Sequence, residues 1–414
     1  MGISGDLCAR CKGVRRMCGL PRCPILLRIE EEIRLEKKIR GTTINAATPP
    51  SVLVGEVGYP IVRVGPNITP VTGIEAKIYD NPESWWGAMS IEDIIKLRAG
   101  MVYSNLRLHV KSIRRPESRL LEVVKEISMS EKPVDTECIL KRPPRFHLKF
   151  NTILKPRGPV APLRKLSIVS NPVIPRRVDY LVDDYDVRAF DAVNELYTHG
   201  VSIYHIIRLF TLGLLGEKRS RRIVPTRWAI TAVDSIVGNN LLKSIRTFRE
   251  LDEYRLYYTQ YIGNRYVILM APGSWSFEMV EIWLPRSIWV KAKKAFIAVN
   301  YELSNGRPRR PEVDGGYHAI RMPILEGLYR ERRQATVIVI REVTPEYYAP
   351  VGSWQIRESI RRALERPMVK PVDLKSALKY IERLIETDIS EIFKKSFLLK
   401  HLTRQERLDK FMNL

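Results

Sequence analysis

The chain has 414 residues, 45% of them hydrophobic and 28% charged, an ordinary globular balance with length enough for one large α/β body or two fused lobes. No run of about 18 apolar residues is present to cross a bilayer, and the start Met1-Gly-Ile-Ser-Gly lacks the parts of a secretory signal, so a cytoplasmic location without a membrane partner is expected. Lys plus Arg number 69 against 46 Asp plus Glu, a formal charge of +23; this favours a polyanionic partner but does not by itself separate DNA from RNA, a ribosome or an anionic surface.

Four of the five cysteines fall close together at the start, as Cys8-x2-Cys11-x6-Cys18-x4-Cys23. Two close pairs let short turns aim four thiolates at one tetrahedral centre, which suits Zn²⁺. Disulfides are disfavoured inside a cell, and an iron–sulfur cluster is the rival metal reading. Four thiolates leave no open position, so the expectation is one structural Zn²⁺ per chain, bracing a segment too small to bury its own core. Lys12, Arg15, Arg16 and Arg22 would offset part of the negative charge of such a centre. Cys138 stands alone and reads as a free thiol.

Pro24 opens a stretch in which Ile25, Ile29 and Ile33 recur at four-residue steps, predicting an amphipathic helix that runs to about Arg40 and packs the knuckle onto the body. Residues 48–66 alternate short β-branched runs with Gly and Pro, the pattern of a hairpin. Its glycines are turn glycines or would let a backbone approach phosphate, and they match neither a Walker loop nor a dinucleotide fingerprint.

Residues 139–177 hold ten Lys or Arg, seven Pro and no Asp or Glu. Repeated proline argues against a continuous helix or a central strand here. Arg142, Arg145, Lys149, Lys155 and Arg157, interleaved with Phe146, His147 and Phe150, suit a nucleic-acid groove or arm, cations for phosphates and rings for bases; a solvated loop is the plainer alternative. Asp179, Asp183, Asp184 and Asp186 follow, as helix-capping carboxylates or as Mg²⁺ ligands. The apolar residues from Phe190 to Leu214 predict one or two buried helices interrupted near Gly200.

Further on, 265–270, 281–284, 295–301 and 335–341 are β-branched runs of strand length and should form a sheet. Helical spacing returns at 354–364 and again at Leu374, Ala377, Leu378, Ile381 and Ile385. Between these lie polar clusters, read as loops: Arg221 to Trp228, Asp234-Ser235, Asn305-Gly306, and Pro311 to Ala319. If they converge, Arg222 and Arg227 would bind phosphate, Gly315 and Gly316 would admit it, and Asp234, Asp314 or His318 would act as acid, base or ligand.

Val224-Pro-Thr-Arg-Trp228, Pro311-Glu-Val-Asp-Gly-Gly-Tyr-His-Ala319 and Arg341-Glu-Val-Thr-Pro-Glu-Tyr-Tyr348, with the four-cysteine start and the ending Gln405-x2-Leu408-x2-Phe411, resemble the archaeal Nre DNA-repair family over nearly the whole chain. The cysteines point to its zinc-bearing, NreA-type branch. The resemblance implies DNA-damage repair through the PCNA sliding clamp, with Gln405, Leu408, Phe411 and Met412 as the clamp-binding residues, and it implies no particular reaction. Met412 stands where a second aromatic normally closes the clamp motif, a flexible thioether that fills an apolar pocket less well.

The expected architecture is therefore α/β (α+β): a zinc knuckle and helix at 1–40, a mixed sheet-and-helix body at 41–353, C-terminal helices at 354–400 and a flexible clamp-binding tail at 401–414. The leading reading is a DNA-binding repair factor delivered by the clamp. The alternatives are an enzyme acting on nucleic acid or a nucleotide around Arg227, Asp234 and Asp314, and an RNA- or ribosome-binding protein.

Overall fold

The computed structural model describes residues 5–39, 41–114, 118–144, 156–287, 290, 294–307 and 316–404. In chain order the first half holds α1 (Gly5–Cys11), α2 (Pro24–Lys38), β1 (Thr43–Thr48), β2 (Val52–Val54), β3 (Ile61–Ile68), a 3-10 turn (Gly73–Asp80), α3 (Pro82–Trp85), α4 (Ile91–Ala99), β4 (Val102–His109), α5 (Arg119–Met129), β5 (Val134–Leu140), β6 (Val160–Ile168), α6 (Arg176–Asp183), α7 (Ala189–Thr198) and α8 (Ile203–Thr211). The second half holds α9 (Thr226–Ile245), β7 (Arg249–Glu250), β8 (Arg255–Tyr261), β9 (Asn264–Ala271), β10 (Ser276–Trp283), β11 (Phe296–Glu302), α10 (Gly316–Glu331), β12 (Arg333–Gln334), β13 (Thr336–Val343), α11 (Trp354–Ala363), α12 (Leu374–Leu384), α13 (Ile389–Lys395) and α14 (Phe397–Arg404).

Two mixed sheets organise the molecule. The first has the order β1-β5-β6-β4-β3-β2, the second β11-β10-β13-β9-β8, and β12 and β7 add a short parallel pair. In the second sheet both faces are covered. Val337 and Val339 of β13 join a core shared with α9 and α10, while Ile338 and Ile340 face a separate core closed by α12, α13 and α14. Burial on both sides is why these strands read as continuous β-branched runs instead of alternating ones.

The four expected strand runs become β9, β10, β11 and β13, and the hairpin becomes β2 and β3 in antiparallel register. The helix from Pro24, the pair α7 and α8 broken at Gly200 (φ 79°), and helices α11 and α12 also stand where the spacing puts them. The exclusion of a central strand from the basic segment is overturned. β6 lies inside the first sheet, antiparallel to β5 and parallel to β4. Its proline fits because the contact with β4 covers only Tyr103 to Asn105, the ladder to β5 is irregular at Ile139/Leu140, and Pro162 still uses its carbonyl, which accepts the Lys141 N–H at 2.8 Å.

Three clusters read as loops are helical in whole or in part. Arg227 and Asp234 lie on α9, and His318 lies on α10. Ala229, Val233, Val237 and Leu241 are buried at four-residue steps along α9, which anchors it against the core.

Candidate nucleic-acid interface

A cleft of about 2380 Å³ is lined by both sheets, α2, the β2–β3 hairpin, α8, the first turn of α9 and the segment from Tyr347 to Arg357. Twelve of the described residues lining it are Lys or Arg and four are Asp or Glu, so the cleft concentrates the excess positive charge of the chain. Arg63 and Arg107 sit directly opposite each other on β3 and β4, both exposed and both lining the cleft. Like charges paired across strands are unfavourable unless something anionic lies over them. Trp283, Phe296, Tyr347 and Trp354 add rings to the same walls, and the guanidinium of Arg341 lies 5.4 Å from the Trp283 ring centroid and 5.9 Å from that of Tyr347.

Of the residues expected to contact nucleic acid, Arg142 and Arg157 line this cleft and are exposed. Arg145, Lys149 and Lys155 lie outside the described residues, as do Phe146, His147 and Phe150. Gly158 fixes the path of the segment. Its N–H donates to the Arg98 carbonyl at 3.1 Å, and a Cβ there would come within 1.9 Å of the Met101 carbonyl oxygen, so only glycine allows this approach.

The five residues expected around one phosphate pocket do not all meet. Arg227 lines the cleft from α9, 3.9 Å from Glu56 at the hairpin tip, and the Val54 N–H donates to Thr226 Oγ1 at 2.9 Å to hold hairpin and helix together. Next to it, exposed Trp228 packs on exposed Tyr59 at 5.3 Å. Asp234 faces inward, away from any role as acid or base: both of its oxygens are 2.7 Å from Arg357 Nη2, and neither side chain is more than 1% exposed. Burial opposes the Arg357 charge, but Asp234 and Tyr204 overcome it and hold the guanidinium above its ordinary pKa. Arg222 is exposed and His318 half-buried, and neither is among the residues lining the cleft. Burial, with Arg321 nearby, pushes His318 down to about 4, so it is neutral near pH 7. Asp314 lies outside the described residues.

Sequence reading missed Arg63, Arg98, Arg107, Arg208, Lys294 and Arg341 as cleft residues. They come from segments far apart in the chain, and no local spacing joins them. Arg221, inside a cluster that was read as functional, instead clamps backbone: its guanidinium donates to the carbonyls of Gly216 (2.7 Å), Val182 (2.8 Å) and Asp184 (2.9 Å).

At the N-terminus Cys8 and Cys11 share helix α1, and with Cys18 and Cys23 they line one cavity of about 10 Å³. All four are free thiols. Burial, and then the thiols of Cys18, Cys23 and Cys11, push Cys8 above its ordinary pKa, and the Met17 N–H lies 3.4 Å from Cys11 Sγ. Among the described residues no group of three or more His, Cys, Asp or Glu side chains is arranged as a metal site. The donor set remains the one zinc prefers. Cys8 packs with Ile25 and Ile29 of α2. Cys138 is buried, its thiol pushed up to about 12 by burial, and is an inert core residue. Gln405, Leu408, Phe411 and Met412 lie outside the described residues, and no described helix is long and apolar enough to cross a membrane.

Comparison with known proteins gives two family matches, archaeal Nre, N-terminal, over residues 17–290 and archaeal Nre, C-terminal, over residues 302–411. A protein named DNA repair protein NreB from Archaeoglobus fulgidus is 35% identical over 405 residues, covering 98% of this chain and 100% of that one. Proteins named DNA repair protein NreA are 37% identical in Archaeoglobus fulgidus (86% of this chain, 88% of that one) and 32% identical in Haloferax volcanii (88% of each). These identities do not separate the two types. No solved structure matches. With both family matches together spanning almost the whole chain, and relatives of this identity aligned over nearly their full lengths, the chain belongs to the archaeal Nre family.

Proposed function

We propose that the chain is a DNA-repair factor that holds nucleic acid in the basic cleft, is braced at its N-terminus by one structural Zn²⁺, and is brought to its place of action by a C-terminal motif that binds the PCNA sliding clamp. The names of its relatives support the repair role. The observation that carries the nucleic-acid reading is the cleft itself, where basic residues outnumber acidic ones twelve to four and Arg63 opposes Arg107 with no carboxylate set between them in the strand register. Phosphates laid along such a wall would replace mutual repulsion with charge-assisted hydrogen bonds. The enzyme alternative around Arg227, Asp234 and Asp314 is weaker, because Asp234 is buried, held by Arg357, and not among the residues lining the cleft.

Cys8, Cys11, Cys18 and Cys23 would hold the zinc ion, which would supply a cross-link to a segment where Cys8, Ile25 and Ile29 form a small buried cluster. Gln405, Leu408 and Phe411, with Met412, would present a short apolar plug to the clamp.

The test of the cleft is a salt titration of DNA binding followed by fluorescence anisotropy. Affinity should fall steeply with salt, and Arg63→Gln, Arg107→Gln, Arg142→Gln and Arg157→Gln together should reduce the slope by about 0.9 per lost contact on duplex or about 0.7 on a single strand. An unchanged slope in the fourfold variant would remove the cleft as the binding surface.

A further inference from the structure

One part of the cleft holds more guanidinium charge than the carboxylate beside it can neutralise. Asp80 closes the 3-10 turn that follows β3, and its carboxylate lies 2.9 Å from Arg208 Nη1 on α8. Arg98, on α4, is also within electrostatic reach of Asp80 and lays its guanidinium 5.2 Å from the Trp85 ring centroid. Asp80, Arg98 and Arg208 all line the cleft. The neighbouring acid Glu32 pairs with Arg28 at 3.4 Å, and Glu83, which accepts a hydrogen bond from Ser202, acts on Arg208 only from farther off. One carboxylate thus serves two arginines, and the buried Nε–H groups of Arg98 and Arg208 find no acceptor among the described residues.

A third cation lines the same cleft. The hydrogen bond from the Gly158 N–H to the Arg98 carbonyl ties the backbone after Arg157 to α4, and the Arg157 guanidinium lies 5.1 Å from the Tyr103 ring centroid. Burial disfavours the charges of Arg98 and Arg208 and Asp80 offsets this only in part, so both pKa values fall below the ordinary range. A partly desolvated cation without a full counter-charge is unfavourable, and an entering anion relieves it. Two guanidinium groups that meet at Asp80 from separate elements, α4 and α8, match the multiple oxygens of a phosphoryl group better than one planar carboxylate.

We propose that Arg98 and Arg208 form a phosphoryl-binding subsite in the cleft, filled by a phosphate of a nucleic-acid ligand. This deepens the reading of the cleft and rests on it for the source of the phosphate, which is either a chain-terminal monoester or an internal diester. The test uses the full chain and three probes: inorganic phosphate, and two oligonucleotides of one sequence ending in 5′-phosphate or 5′-hydroxyl. Phosphate should raise the melting temperature above that in chloride of equal ionic strength. Arg98→Met, which keeps an apolar stem against Trp85 and leaves the Asp80–Arg208 pair intact, should lose that rise and bind the oligonucleotides about tenfold more weakly. Arg98→Lys should recover part of both. A larger loss for the 5′-phosphate strand assigns the site to a chain end, and equal losses assign it to the backbone. If Arg98→Met binds phosphate and both strands as the wild type does, while Arg63→Gln with Arg107→Gln weakens DNA, the subsite is wrong and the cleft reading stands. If phosphate raises the melting temperature through Arg98 but neither strand binds, the subsite is an anion site and the nucleic-acid reading falls.

Discussion

Replacing Asp234 by alanine should destabilise the fold by about 3–5 kcal/mol, because it leaves a buried charge without its partner. Arg357 is 1% exposed, with Nη2 2.7 Å from both oxygens of an Asp234 that is 0% exposed. Its Nε already lacks an acceptor among the described residues. In the variant the attraction left in place is the Tyr204 ring, 5.1 Å away, worth about 2 kcal/mol when desolvated and so too little to compensate. Arg361, close enough to disfavour the Arg357 charge, adds repulsion. The double variant Asp234→Ala with Arg357→Met removes both charges and should recover most of the loss, since a buried pair exchanged for apolar groups is often neutral or stabilising by about 1–4 kcal/mol. Urea unfolding followed by tryptophan fluorescence measures all three proteins. A loss below about 1 kcal/mol in the single variant, or nucleic-acid binding that disappears while stability holds, would refute the structural role and return Asp234 to the list of chemical groups.

Protein purified without chelator should carry one zinc per chain, and Cys8→Ala with Cys11→Ala should lose it and expose residues 5–39 to protease; iron, or no metal at all, by elemental analysis would sink the assignment. Leu408→Ala with Phe411→Ala should abolish capture by the sliding clamp while zinc content and DNA affinity persist, and retained capture would show that the tail is not the tether. Acid should weaken the fold through two histidines. Burial and then Arg208 hold His205 down to about 3, and burial and then Arg321 hold His318 down to about 4, against about 6.5 in the unfolded chain. Below that value the unfolded chain takes up protons that the folded one refuses, so stability is full above about pH 6.5 and falls as pH drops, by up to about 1.4 kcal/mol per unit for each histidine. Urea midpoints from pH 7 to pH 5 should flatten in His205→Asn and in His318→Asn, and an unaltered profile in both would contradict the assignment.

What could be read from sequence follows from how local the cause is. Strands β9, β10 and β13 are covered on both faces, so burial writes itself directly into runs such as Val337-Ile-Val-Ile340. β1, Thr43-Ile-Asn-Ala-Ala-Thr48, carries no comparable run. It is a strand because it pairs with β5, some ninety residues away. Helix α9 was legible in the four-residue spacing of Ala229, Val233, Val237 and Leu241, but Arg227 and Asp234 drew the reading toward a loop. Asp234 can face the interior only because Arg357 waits there, a partner 123 residues on that no local pattern announces. The cleft follows the same rule. Arg142 and Arg157 stood out in a biased segment, whereas Arg63, Arg107 and Arg208 enter the site through strand register and helix packing.

The distribution of carboxylates connects these observations. A chain with 46 acidic residues against 69 basic ones places several of its acids inside, where each ties separate elements together. Glu302 accepts from Trp275, Tyr317 and Arg321. Glu342, on β13, accepts from Arg265 and from the backbone N–H groups of Glu386 and Thr387. Glu278, on β10 and 0% exposed, accepts from Ser396 Oγ and from the N–H groups of Phe397 at 2.7 Å and Leu398 at 3.2 Å, meeting the orphan donors at the start of α14. Acids used in this way are not at the cleft wall, which is one reason Arg63, Arg107, Arg142 and Arg157 face solvent there. The same placement pins α14 to the second sheet through Leu398 and Leu399, immediately ahead of residue 405. A tether transmits position only if one end is held, and Glu278 supplies that hold for the clamp motif proposed to follow.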